Sequence, residues 1–162
     1  MTFQNRSLAG LAATLSLALA LVVAGGVQPA AADGVINKSM WTGTAIEGYD
    51  SVAYFKEGRP VEGSSDFEHE WMDATWRFAS ADNRDLFAAD PEKYAPQYGG
   101  YCAYAVAQGG TASIDPEAWR IVDDKLYLNL NKQVQQLWLQ DIQGFIAKAD
   151  ANWPKIREML AN

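Results

Sequence analysis

The chain has 162 residues, a single cysteine, a single histidine and a formal net charge of −7. With 13 basic against 20 acidic side chains it lacks the cationic surface that phosphate contacts need, so nucleic acid and anionic membrane faces are not expected as partners. One cysteine excludes an internal disulfide, and one cysteine with one histidine falls short of a structural zinc cage.

The first 32 residues read as an export signal. Arg6 is their one charge, Leu8 to Gly26 is uncharged and rich in Leu, Ala and Val, and small residues lead to Ala30-Ala31-Ala32, an A-x-A site for cleavage before Asp33. The run is long enough to compete with a membrane anchor, since about 20 apolar residues span a bilayer. Its N-terminal position, Ala-rich composition and small-residue exit favour cleavage. The expected mature protein is therefore periplasmic or secreted, without stable membrane insertion. It keeps 12 basic and 20 acidic residues, a net charge of −8, on 130 residues, enough for one domain with one core.

Residues 33–47 lack periodicity and read as an N-terminal arm, with Met40 and Trp41 expected to pack onto the domain. Ser51-Val52-Ala53-Tyr54-Phe55 is β-prone and is predicted as a strand, closed by a turn at Glu57-Gly58. Phe67-Glu68-His69-Glu70-Trp71 and Thr75-Trp76-Arg77-Phe78 alternate around Met72-Asp73. They predict a hairpin with Phe67, Trp71, Trp76 and Phe78 on its inward side. Ser80 is an N-cap for a short helix through Phe87, with Leu86 and Phe87 facing in, and Pro91 to Tyr94 makes one further turn.

Trp119 to Val122 and Lys125 to Leu128 flank Asp123-Asp124 and predict a second hairpin. From Lys132 the period lengthens to about 3.6, with Val134, Leu137, Trp138, Ile142, Phe145, Ile146 and Ala149 on one face, until Trp153-Pro154 is expected to break the helix. The pattern is α+β: a small single domain with two β-hairpins, short helices and a longer C-terminal amphipathic helix.

The chemistry centres on residues 94–104, which hold the cysteine, four of the seven tyrosines and Gly99-Gly100. A short helix after the glycines would put Cys102 in its first turn, where free N–H groups favour a thiolate. The plain alternative is a small buried thiol filling space between rings. No P-loop and no Cys-x-x-Cys-His haem motif is present. Cys102 with His69, and Met72 as a thioether, would suit Cu(I), which prefers soft ligands and accepts few of them. Copper before zinc is therefore the expected cofactor. A metal-free reactive thiol is the alternative, and an inert thiol in a binding or scaffold domain the third. Trp71, Tyr98, Gly99, Gly100, Tyr101 and Tyr104 are the candidate pocket residues for a metal ion or small molecule. A protein partner is not identified.

Gly48-Tyr49-Asp50-Ser51-Val52-Ala53-Tyr54-Phe55, His69, Trp76-Arg77-Phe78-Ala79-Ser80, Asn83, Phe87 and Asp90-Pro91-Glu92-Lys93-Tyr94 follow the order of a YHS domain. The similarity continues through Pro96-Gln97-Tyr98-Gly99-Gly100-Tyr101-Cys102 and Asp115-Pro116-Glu117-Ala118-Trp119 to Ala149-Asp150-Ala151-Asn152-Trp153-Pro154. The chain resembles the exported bacterial YHS-domain proteins, a group with selenocysteine-carrying members, over residues 48–162. The resemblance implies a metal-handling role with His69 as the family histidine and Ser80 as the serine, and a redox or soft-metal use of Cys102; the expected protein is a non-catalytic metal binder. Where the metal-associated pattern has cysteines, this chain has Ala53, Ala79 and Asn83, so the thiolate site of that pattern is absent.

Overall fold

Two tight turns with left-handed backbone organise the sheets. In the computed structural model, which describes residues 35–162, strand β1 (Ser64–Trp71) pairs antiparallel with β2 (Ala74–Phe78). The connecting Met72 and Asp73 have φ of +51° and +56°. Strand β3 (Asp115–Val122) pairs in the same way with β4 (Lys125–Asn129) through Asp123 and Asp124, at +50° and +57°. Two successive positive-φ residues give the turn whose twist matches that of the flanking strands. Alternation along β2 buries Ala74, Trp76 and Phe78, while Phe67, His69 and Trp71 of β1 are half-buried around them. Gly63 leads into β1 where a Cβ would lie 2.5 Å from the Arg77 backbone, so the strand can enter only with a glycine there.

The β-prone stretch after Gly48 is not a strand. It forms helix α1 (Ser51–Lys56), and the reason is Asp50. One carboxylate oxygen accepts the Val52 and Ala53 N–H groups at 2.9 and 3.1 Å, satisfying the donors a helix start leaves open. The other accepts Ala79 N–H at 2.9 Å and Asn83 Nδ2 at 2.7 Å, tying the helix to the end of β2 and to the next helix. Strand propensity reflects packing context more than backbone preference, so a fully satisfied cap overrides it.

Helix α2 (Ala81–Ala89) starts at Ser80, whose hydroxyl accepts Asn83 N–H at 3.2 Å. Phe87 is fully buried against Trp76 and Phe78, but Leu86 faces outward at 37% exposure, against expectation. The two are adjacent in a helix and cannot share one face. Helix α3 (Pro91–Tyr94) follows, then a turn at 97–100 and helix α4 (Ala103–Ala107).

The long helix breaks earlier than expected. Helix α5 (Lys132–Leu139) ends at Gln140, and Asp141 caps α6 (Ile142–Leu160) by accepting Gly144 N–H at 3.0 Å. Pro154 lies inside α6 and does not end it. A proline removes one intrahelical bond, but packing of Ala149, Trp153 and Ile156 and two bonds from Asn152 Nδ2 to the Val106 and Ala107 carbonyls hold α6 against α4.

The N-terminal segment is woven in rather than laid on top. Val35, Ile36, Ala45 and Ile46 are buried, and Thr75 N–H donates to Gly43 O while Ala45 N–H donates to Thr75 O. Met40 and Trp41 do not pack onto the domain. They stand at the tip of a turn at 94% and 95% exposure. The export signal expected over residues 1–32 lies outside the described residues. No helix among the described residues is long and apolar enough to cross a membrane.

Candidate functional site

Tyr98, Gly99 and Gly100 have φ of +57°, +62° and +80°, three left-handed residues in a row. The glycines are required by close approach as well as by φ. A Cβ on Gly99 would lie 1.9 Å from the Val35 carbonyl oxygen, and one on Gly100 would lie 2.7 Å from Ile46 Cγ2. The turn is bonded to the N-terminal segment by Asn37 N–H to Gly99 O at 2.8 Å and Asn37 Nδ2 to Gly100 O at 3.0 Å.

For Tyr98 the left-handed conformation costs on the order of 1–2 kcal/mol. The tertiary structure offsets it. Its ring packs on Tyr127 and Trp153, with centroids 5.9 and 5.8 Å away, and its hydroxyl donates to Asp150 Oδ1 at 2.8 Å. Burial, and then the hydrogen bond to and charge of Asp150, raise the Tyr98 phenol well above its usual range.

This turn forms one wall of a cleft of about 340 Å³. The first hairpin contributes Trp71 and Met72 from its tip, and the N-terminal segment contributes Val35 and Ile36. Ala95, Pro96, Gln97, Tyr98 and Gly99 supply the turn side, α3 brings Glu92, and α6 brings Trp153 and Arg157. The walls are aromatic and aliphatic. Glu92 and Arg157 are exposed, and among the described residues neither enters an ion pair. Walls of this kind with a few polar groups at the margin are the usual make-up of a small-ligand site, and the volume lies near the lower end for one.

Cys102 lies apart from this cleft. It is the residue before α4, not part of the helix's first turn, and it is sealed at 1% exposure. Leu130 N–H donates to its sulfur at 3.3 Å, and the thiol lies 3.8 Å from Asn129 Oδ1, which also accepts Tyr104 N–H at 3.3 Å. Asn129 is fully buried, and its Nδ2 has no partner among the described residues.

The expected metal ligands take different partners. His69, opposite Trp76 in the hairpin, packs its ring on Phe87 with centroids 6.0 Å apart, and Met72 occupies the hairpin tip on the cleft. His69 and Cys102 have no hydrogen-bond or ring partner in common. Among the described residues no three His, Cys, Asp or Glu side chains gather as a metal cage.

Four expected site residues, Trp71, Met72, Tyr98 and Gly99, do converge on the cleft. Gly100 does not line it. Tyr101 stacks near Trp153 at 6.5 Å and Tyr104 against Phe145 at 5.1 Å, neither lining it. Glu92, Trp153 and Arg157 were not legible as site residues. The one signal was that Trp153 and Arg157, four apart, share a helix face. No family model, curated protein or solved structure matches the chain.

Proposed function

We propose that the protein is an exported, non-catalytic binding protein of YHS type whose working surface is the cleft lined by Trp71 and Trp153. The observation that carries this reading is the convergence of four separated chain segments on one aromatic-walled cleft, with the left-handed residues Tyr98 and Gly99 on one side. Strained backbone of this kind tends to gather at ligand sites. Export rests on the apolar run and Ala30-Ala31-Ala32, and the YHS assignment on the residue order from Gly48 to Pro154.

On this reading Cys102 is a packing residue. The test is a small-fragment screen by two-dimensional NMR, followed through the indole N–H signals of Trp71 and Trp153, on the native chain and on Cys102→Ser. Fragment shifts confined to the cleft and unchanged in Cys102→Ser are expected. Absence of any cleft-directed fragment would end the proposal.

A second reading keeps Cys102 as the working group, as a copper ligand or a redox thiol. The observation favouring it is the Leu130 N–H directed at the sulfur, a contact that stabilises negative charge there. It predicts Cu(I) uptake or thiol chemistry that vanishes in Cys102→Ser while the cleft is untouched.

A further inference from the structure

The charges at the cleft narrow the ligand class. Glu92 on α3 and Arg157 on α6 line the same cavity, yet they do not reach each other and neither finds another partner among the described residues. Trp71 and Trp153 line the same cavity. A purely anionic ligand would meet Arg157 but also Glu92 and the field of an acidic chain. A purely cationic one would gain from Glu92 and from the indole faces but meet the guanidinium. A molecule carrying both charges on an apolar body satisfies both residues and the walls together.

We propose that the cleft takes a small zwitterion of amino-acid type with an aromatic or apolar side group. Its carboxylate would be held by Arg157, whose planar fork suits a carboxylate, and its ammonium by Glu92. This inference rests on the cleft being a binding site, as argued above.

The test is calorimetric titration of the full chain with four probes that share a phenyl ring: L-phenylalanine, phenethylamine, 3-phenylpropionate and benzyl alcohol. L-Phenylalanine is expected to bind about twofold to fivefold more tightly than either singly charged probe, the scale of one solvent-exposed ion pair. Arg157→Gln should erase its advantage over phenethylamine alone, and Glu92→Gln its advantage over 3-phenylpropionate alone. Both side chains are exposed, so neither change threatens folding. Equal binding of benzyl alcohol and L-phenylalanine, or affinities unmoved by both variants, would overturn the zwitterion while leaving a binding cleft. No binding of any of the four would remove both.

Discussion

The Tyr98 hydroxyl donates to Asp150 Oδ1 at 2.8 Å across 52 residues of sequence, and this bond fastens the left-handed turn to the C-terminal helix. Tyr98→Phe removes the bond and keeps the ring contacts with Tyr127 and Trp153. A loss of about 1 kcal/mol is expected, because the carboxylate end is solvated. Asp150→Ala should cost a similar amount. The double variant should cost clearly less than the sum, since one interaction is removed twice. Denaturant melts of the four proteins check this, and strict additivity would show the bond contributes nothing.

Alkaline pH should unfold the protein through its tyrosines. Burial first, and then the negative charges of Asp150 and Asp123, push Tyr127 up to about 12, and burial foremost raises Tyr54 and Tyr98 further. In the unfolded chain these phenols ionise near 10. The folded state therefore holds protons that the unfolded state releases. Stability is fully present below about pH 10 and falls as pH rises from there through the folded values. Denaturation midpoints measured at about pH 8, 10 and 11.5 should be flat across the first interval and drop across the second. Asp150→Asn, which takes away a negative charge beside two of the phenols, should make the drop shallower.

Asp50 gathers four donors around one buried carboxylate: Val52 N, Ala53 N, Ala79 N and Asn83 Nδ2. Asp50→Ala strands them in the interior. With each unmet buried donor costing about 1–3 kcal/mol before relaxation, a total of at least about 3 kcal/mol is expected. Asp50→Asn should be nearly as harmful, because the amide turns one acceptor into a donor facing other donors. Chemical denaturation gives both values. A loss below about 1 kcal/mol in Asp50→Ala would mean that α1 does not depend on its cap.

Gly99→Ala and Gly109→Ala separate strain from collision. Both glycines have positive φ, +62° and +88°, but only at Gly99 does a Cβ meet another atom, the Val35 carbonyl oxygen. Gly109→Ala should cost about 1 kcal/mol, the backbone penalty alone. Gly99→Ala should cost markedly more and displace the segment at 35–37 that forms part of the cleft wall. Amide exchange at Asn37, whose N–H donates to Gly99 O, reports that displacement.

The sealed position of Cys102 predicts a thiol that reacts only when the structure opens. Labelling with an aromatic disulfide at neutral pH should be about 100-fold or more slower in the native protein than in denaturant, following local opening. Fast native labelling would reinstate the sulfur as a working group.

The alternating runs around Met72-Asp73 and Asp123-Asp124 were enough to place both hairpins, because strand period and turn chemistry are local properties. Ser80 placed α2 for the same reason. The stretch Ser51 to Phe55 is helical against its strand propensity, because the carboxylate that caps it is held in place by Ala79 and Asn83, far along the chain. Asp141 starts a new helix where the apolar period runs on unbroken, and Pro154 does not end that helix. A proline is tolerated where contacts such as those of Asn152 hold the helix in place.

The sequence by itself determined an α+β chain, with a Gly99-Gly100 pair among tyrosines and one thiol close after it. Periodicity, caps and turns act over a few residues and can be read there. Only the tertiary structure decided that the thiol is closed off, that His69 turns to Phe87, and that Trp71, Glu92, Tyr98 and Arg157 border a common cleft. Those relations join residues tens of positions apart, and they exist only once two hairpins and a C-terminal helix have packed around a shared core.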